Sequence, residues 1–230
     1  MPRAKVVRRR DGVVVEYGRE RWELLERLRE RALRVIEALN RSGIESFVHG
    51  SVARGDVHPS SDVDVVVPYP VSPPLVEEAL EISGFSIYRK EINQATPRHA
   101  VKVSLYLDET TSVTFPLSKL SRLELEFYKF SGRIGLRGLE EGIRVPGVNK
   151  RLLAIIPIDR GHVEFSIIGR EHEVSKLLGV SLDIVRERIE VLTRRDEIGR
   201  TGVFVRRVLG PEDSIARALE EIAKRNPLFR

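Results

Sequence analysis

The chain has 230 residues, of which 41% are apolar and 32% charged with both signs present, a formal net charge of +5 and no cysteine. This length allows one extended core or a core with a smaller appended module, and the composition is neither that of a disordered chain nor that of a membrane-embedded one. The lack of cysteine excludes disulfide scaffolds, thiolate nucleophiles and cysteine-bound zinc, so any metal must be held by oxygen or imidazole.

The opening AKVVRRRDGVVVEYG alternates on both sides of Asp11-Gly12, which predicts a two-stranded ribbon over residues 4–17. A long amphipathic helix follows, with Trp22, Leu25, Leu28, Ala32, Val35, Ile36 and Leu39 at helical spacing and a stop from Asn40 to Gly43. ESFVHG then reads as a short strand, GSVARGDVHPSS as a glycine-bearing turn with one helical turn, and DVDVVVPY as a strand ended by prolines. PLVEEALEISG is a predicted helix, FSIYRKEIN a strand, VKVSLYL and SVTFPL a hairpin around DETT, and residues 118–130 a helix capped by Ser118 or Ser121.

Beyond that helix SGRIGLRGLEEGIRVPGVNK has no clear period, which sets an expected domain boundary near residue 140. RLLAIIPID and HVEFSIIG are candidate paired strands. EHEVSKLLGVSLDIVRERIEVLTRR reads as two helices about a turn at Gly179-Val180-Ser181, GRTGVFVRRVL as a short strand or wing, and PEDSIARALEEIAKRNP as a terminal amphipathic helix. No bilayer-length apolar run or signal-peptide pattern is present, so the expected setting is cytoplasmic, with no membrane partner.

The chemistry concentrates in FVHGSVARGDVHPSSDVDVVV. In a strand, residues two apart point the same way, so Asp62 and Asp64 project together while Val63 and Val65 face the opposite side. Two such carboxylates raise each other's pKa unless a cation sits between them, and the simplest hard cation is Mg²⁺. Upstream, Gly50 lets the backbone approach an anion, and Ser51 and Arg54 could add hydrogen bonds and charge to the phosphates of a nucleoside triphosphate. A capping role for Ser51 and turn roles for the aspartates are the plainer alternative. His49 and His58 read as packing or hydrogen-bonding residues, and Asp56 and Ser61 as local turn residues.

Gly50-Ser51, a spacer of ten residues, then Asp62-Val63-Asp64 between apolar residues resembles the nucleotidyltransferase superfamily typified by DNA polymerase beta, and its minimal nucleotidyltransferase branch in particular. The resemblance covers residues 45–117. It implies an α+β fold with a mixed sheet and flanking helices, and transfer of a nucleoside monophosphate from a triphosphate to a hydroxyl acceptor with Asp62 and Asp64 on Mg²⁺. It also leads one to expect a third carboxylate on a neighbouring strand. The hairpin that should carry it offers Lys102, Ser104, Tyr106, Ser112 and Thr114, while Asp108 and Glu109 lie at its tip and Glu91 on the preceding strand.

The expected organisation is a nucleotidyltransferase core over 1–140 and a basic module over 141–230, with a helix-turn-helix-like pair at about 172–195. Arg194, Arg195, Arg200, Arg206 and Arg207 would give that module a basic edge for RNA or DNA. The rival expectations are a catalytically decayed nucleic-acid-binding regulator and an antitoxin-like protein with a partner chain.

Overall fold

The computed structural model describes residues 5–199, 202–226 and 229. In chain order it begins with β1 (Val13–Glu16) and α1 (Arg19–Arg41), whose last turn closes at Gly43 with φ 72°. Next come β2 (Phe47–His49), the single turn α2 (Ser51–Arg54), β3 (Val63–Val66) and α3 (Pro73–Ile82), which starts on a proline pair that needs no N–H partner. Strands β4 (Arg89–Gln94), β5 (Lys102–Tyr106) and β6 (Thr111–Pro116) precede α4 (Arg122–Phe130). The region without clear period holds β7 (Arg133–Gly135), α5 (Leu136–Glu140) and β8 (Gly147–Val148). Then follow β9 (Leu153–Ile158), β10 (Gly161–Ser166), α6 (Glu171–Leu178), α7 (Leu182–Ile198), β11 (Val205–Leu209) and α8 (Ile215–Arg225). The Ser181 and Ser214 side chains cap α7 and α8, accepting from the N–H groups of Ile184 and Arg217.

The described chain divides into two compact units, and each draws on distant parts of the sequence. Unit 1 takes residues 5–31, 48–61 and 122–199, and unit 2 takes 32–47, 62–121 and 202–226. The division falls between residues 31 and 32, 47 and 48, 61 and 62, 121 and 122, and 201 and 202. The helix pair α6 and α7 goes with the N-terminal strand, whereas β11 and α8 go with the middle of the chain.

Unit 1 is built on an antiparallel sheet in the order β1-β10-β9-β8. Phe165, Ile167, Val174, Leu178, Ile184 and Val185 form its core with Leu152 and Phe130. The expected ribbon at Asp11-Gly12 is not formed. The Val7 N–H instead donates to the Arg151 carbonyl at 3.0 Å, the Ser166 N–H donates to the Arg10 carbonyl at 3.0 Å, and β1 pairs with β10 from Val13↔Glu164 to Glu16↔Gly161. Residues 7–16 thus run in one direction along an existing edge. An isolated hairpin is marginal in water, whereas this course pairs the same backbone groups and seats Val6 on the core.

Unit 2 carries strands in the order β11-β4-β5-β6-β3, with β3 parallel to β6 and the other pairs antiparallel. Val63 and Val65 are fully buried, as are Val103, Leu105, Val113 and Phe115. The segment after α7, expected as a short strand or wing, is the strand β11, which pairs with the edge of β4 in this unit. No helix among the described residues is long and apolar enough to cross a membrane.

Candidate active site

In unit 1 the strand β2 ends at His49, and Gly50 turns the chain with φ 81° while its N–H donates to the Gly132 carbonyl at 2.9 Å. That dihedral favours glycine, and a methyl group there would meet no atom within 4 Å, so the space above Gly50 is open to an incoming group. The half-buried Ser51 follows, and its hydroxyl donates to Ser61 Oγ at 3.2 Å, while the His58 N–H donates to the same Ser61 oxygen at 3.0 Å. The turn is thus fixed at both ends by Ser61, which orients the Ser51 hydroxyl.

Arg54 does not face it. Its side chain is buried, donating to the Ser131 carbonyl at 2.6 Å and pairing with Asp56 at 2.8 Å. A guanidinium committed to a carboxylate and a carbonyl braces the turn. His49 lies edge-on to Phe127 and Tyr128 with Nδ1 3.0 Å from Ser131 Oγ, and His58 Nδ1 is 2.9 Å from Ser60 Oγ, as the packing and hydrogen-bonding reading expects.

In unit 2 the strand β3 starts at Val63, so Asp62 stands one residue before it, exposed, and Asp64 sits within it, half-buried. Ser112, directly opposite in the parallel register, donates to Asp64 Oδ1 at 2.9 Å. The same row continues from Ser112 to Tyr106 and from Tyr106 to Arg89, whose guanidinium lies over the Tyr106 ring at 4.0 Å. Burial first, then the charges of Glu91 and Asp64, pushes the Tyr106 phenol up, so it stays neutral across the physiological range.

The next row runs from Thr114 to Ser104, hydrogen-bonded at 2.8 Å, and on to Glu91. Hydroxyls therefore stand at the positions flanking Asp64 on β6. Glu91 lies on β4, three strands from β3, which at the usual strand spacing is about 14 Å, beyond reach of a shared ion. It pairs with Arg206 at 3.0 Å instead. Asp108 Oδ1 accepts from the Thr110 N–H and hydroxyl, closing the hairpin tip. Among the described residues no group of three or more His, Asp or Glu side chains is placed to hold a metal ion.

Two carboxylates on hard oxygen, one of them oriented by a hydroxyl, fit a single divalent cation that completes its shell with water and phosphate oxygens. They supply too few ligands for a second ion. A groove of about 1070 Å³ bordered by α3 and the start of α8 is lined by Glu77, Lys90 and Asp213. Lys90 alternates with Glu91 on β4, so this groove lies on the sheet face opposite Asp64 and Ser112.

The arginines of the expected basic edge are distributed over both units. Arg194 and Arg195 are exposed on α7 in unit 1, Arg206 and Arg207 lie on β11 in unit 2, and Arg200 falls outside the described residues. The first turn of α7, which a groove-reading helix would offer to base edges, is engaged by α4: Ser181 bonds to Glu126, and Arg122 pairs with Asp183 at 2.8 Å.

Residues 24–121 match the family model of the nucleotidyltransferase domain, a segment that contains Gly50, Ser51, Asp62 and Asp64. The matched stretch ends where the middle segment of unit 2 ends. No curated protein and no solved structure matched the chain.

Proposed function

We propose that the protein is a metal-dependent nucleotidyltransferase that moves a nucleoside monophosphate from a nucleoside triphosphate to a hydroxyl acceptor. The observation that carries this reading is the Asp64 carboxylate, held half-buried by Ser112 at 2.9 Å in a strand entered through Asp62. An acidic pair in this setting calls for a counter-charge, and the domain match supplies the chemistry that uses one.

Asp62 and Asp64 would be the ligands of Mg²⁺, which when bound neutralises charge on the triphosphate. The motif resemblance assigns phosphate recognition to Gly50, above which the space is open, and to Ser51, whose hydroxyl Ser61 orients. The acceptor oxygen attacks the α-phosphorus, the bond from that phosphorus to the bridging oxygen breaks, pyrophosphate departs with the electron pair, and the acceptor proton passes to solvent. Positioning and charge do the work, and no nucleophilic side chain is required.

A second reading, a nucleotide-binding regulator that no longer transfers, is favoured by the hydroxyls that stand beside Asp64 in place of a further carboxylate. Calorimetric titration of each of the four ribonucleoside triphosphates with Mg²⁺, followed by pyrophosphate release with candidate acceptors, separates the two. Metal-dependent binding lost in Asp62→Asn/Asp64→Asn supports the site. Binding without any release supports the regulator, and no binding to the wild type overturns both.

A further inference from the structure

We infer that unit 1 carries a binding surface for the phosphodiester backbone of a nucleic acid, formed by Lys5 and Arg9 of the N-terminal arm with Lys150 and Arg151 of the β8–β9 turn. Among the described residues the excess positive charge is confined to that unit. Among the described residues, unit 1 has 24 Lys and Arg against 20 Asp and Glu, and unit 2 has 12 against 14. Within unit 1 the hydrogen bond from the Val7 N–H to the Arg151 carbonyl, 3.0 Å, lays the arm against the turn. Lys5 and Arg9 are each two residues from Val7, about 7 Å along an extended chain, so the four cations lie within side-chain reach of one another.

All four side chains are exposed, and among the described residues none is in an ion pair. The intervening arginines are the ones that are paired: Arg8 with Glu197 at 2.7 Å and Arg10 with Glu164 at 2.8 Å. Those pairs anchor the arm and leave its other face cationic.

The turn that presents Lys150 and Arg151 is strained to do so. Leu152 adopts φ 59°, the one described residue other than glycine with positive φ, a region that a residue with a Cβ enters only at a cost. Asn149 braces it, its Oδ1 accepting from the Arg151 N–H at 2.9 Å and the Leu153 N–H at 3.2 Å. The Leu152 side chain is driven into the core with 0% exposure, which offsets the strain and fixes the two preceding side chains outward. Phosphates suit this surface better than a bilayer does, because the arm and the turn are extended and tightly turned backbone rather than an amphipathic helix with an apolar face.

The test uses fluorescence anisotropy of a labelled 20-nucleotide single-stranded RNA and a DNA duplex of mixed sequence, titrated between 50 and 200 mM salt without nucleoside triphosphate. Four phosphate contacts give a log–log salt slope of about −3, a loss of roughly 50-fold in affinity across that range. Lys5→Gln/Arg9→Gln/Lys150→Gln/Arg151→Gln is expected to keep the wild-type melting temperature and to lose most of the slope. An unchanged slope in that variant overturns the proposal, as does binding of the wild type to phosphatidylserine vesicles but to neither nucleic acid. The readout needs no transfer, so Asp62→Asn/Asp64→Asn binds with the wild-type slope, and failure here is distinct from failure of the enzymatic reading.

Discussion

The Ser112 hydroxyl donates to Asp64 Oδ1 across a parallel strand pair, at 2.9 Å and with Ser112 almost fully buried. One carboxylate oxygen is thereby fixed and the other is left for a ligand. A hydrogen bond to a charged group contributes about 1.5–3 kcal/mol, most of it here as orientation of Asp64. Ser112→Ala is expected to raise the Mg²⁺ concentration required for nucleotide binding by roughly tenfold, with a smaller effect on folding, measured by calorimetry at stepped Mg²⁺.

Ser112→Asp tests the same relationship from the other side. A second carboxylate opposite Asp64 repels it when no cation is present, so the melting temperature falls in chelator and recovers on adding Mg²⁺. A variant that melts identically with and without the ion would show that Asp64 takes no part in metal binding.

Arg54 and Asp56 are both over 90% buried and braced by the Ser131 carbonyl. Removing one partner strands a buried charge, so Arg54→Ala is expected to cost about 3–5 kcal/mol in urea denaturation. A phosphate ligand on an open loop would cost stability little and nucleotide affinity much, so the ratio of the two losses distinguishes a brace from a ligand.

His162 is buried beside Tyr17, Glu164, Asp56 and Arg21, with Nδ1 2.6 Å from the Tyr17 oxygen and Nε2 3.5 Å from Glu164. A carboxylate cannot donate, so Nε2 carries the proton and Tyr17, whose pKa burial raises to about 12, donates to Nδ1. Burial lowers the His162 pKa below its usual 6.5, against the opposing pull of Asp56 and Glu164. The unfolded chain therefore binds this proton first. The stability tied to the neutral ring is complete above pH 6.5 and is lost as pH falls through the folded-state pKa. Urea midpoints at pH 7.5 and 5.5 should show that fall, and His162→Gln should flatten it.

Much of this architecture is legible locally. The apolar spacing of α1, the hairpin around Asp108 and the two halves of the Gly-Ser and Asp-Val-Asp motif all specify themselves through neighbours in the chain. So did the scarcity of carboxylates beside Asp64, since strand alternation already put Ser112 and Thr114 on one face. What escaped depends on partners far away. Asp11-Gly12 carries a hairpin signal, but β10, about 150 residues on, offers its edge to the same backbone groups. Arg54 reads as a phosphate ligand until Ser131 and Asp56 occupy it. The arginines of α7 and β11 are close in sequence but fall in different units, whereas the N-terminal arm and the β8–β9 turn are far apart in sequence and are joined by the bond from the Val7 N–H to the Arg151 carbonyl.

The pairing of β11 with β4 also bears on how the chain is made. Eighty residues, 122–201, separate the two segments of unit 2 that this pairing joins. The 110 residues 95–204 lie between the end of β4 and the start of β11, so a ribosome adding about 5–20 residues per second leaves the edge of β4 bare for roughly 6–22 seconds before its last strand emerges. Throughout that interval the nascent chain offers an open strand to any neighbour, so a transcript truncated within this span would be expected to yield a product that chaperones retain or that pairs with its own kind.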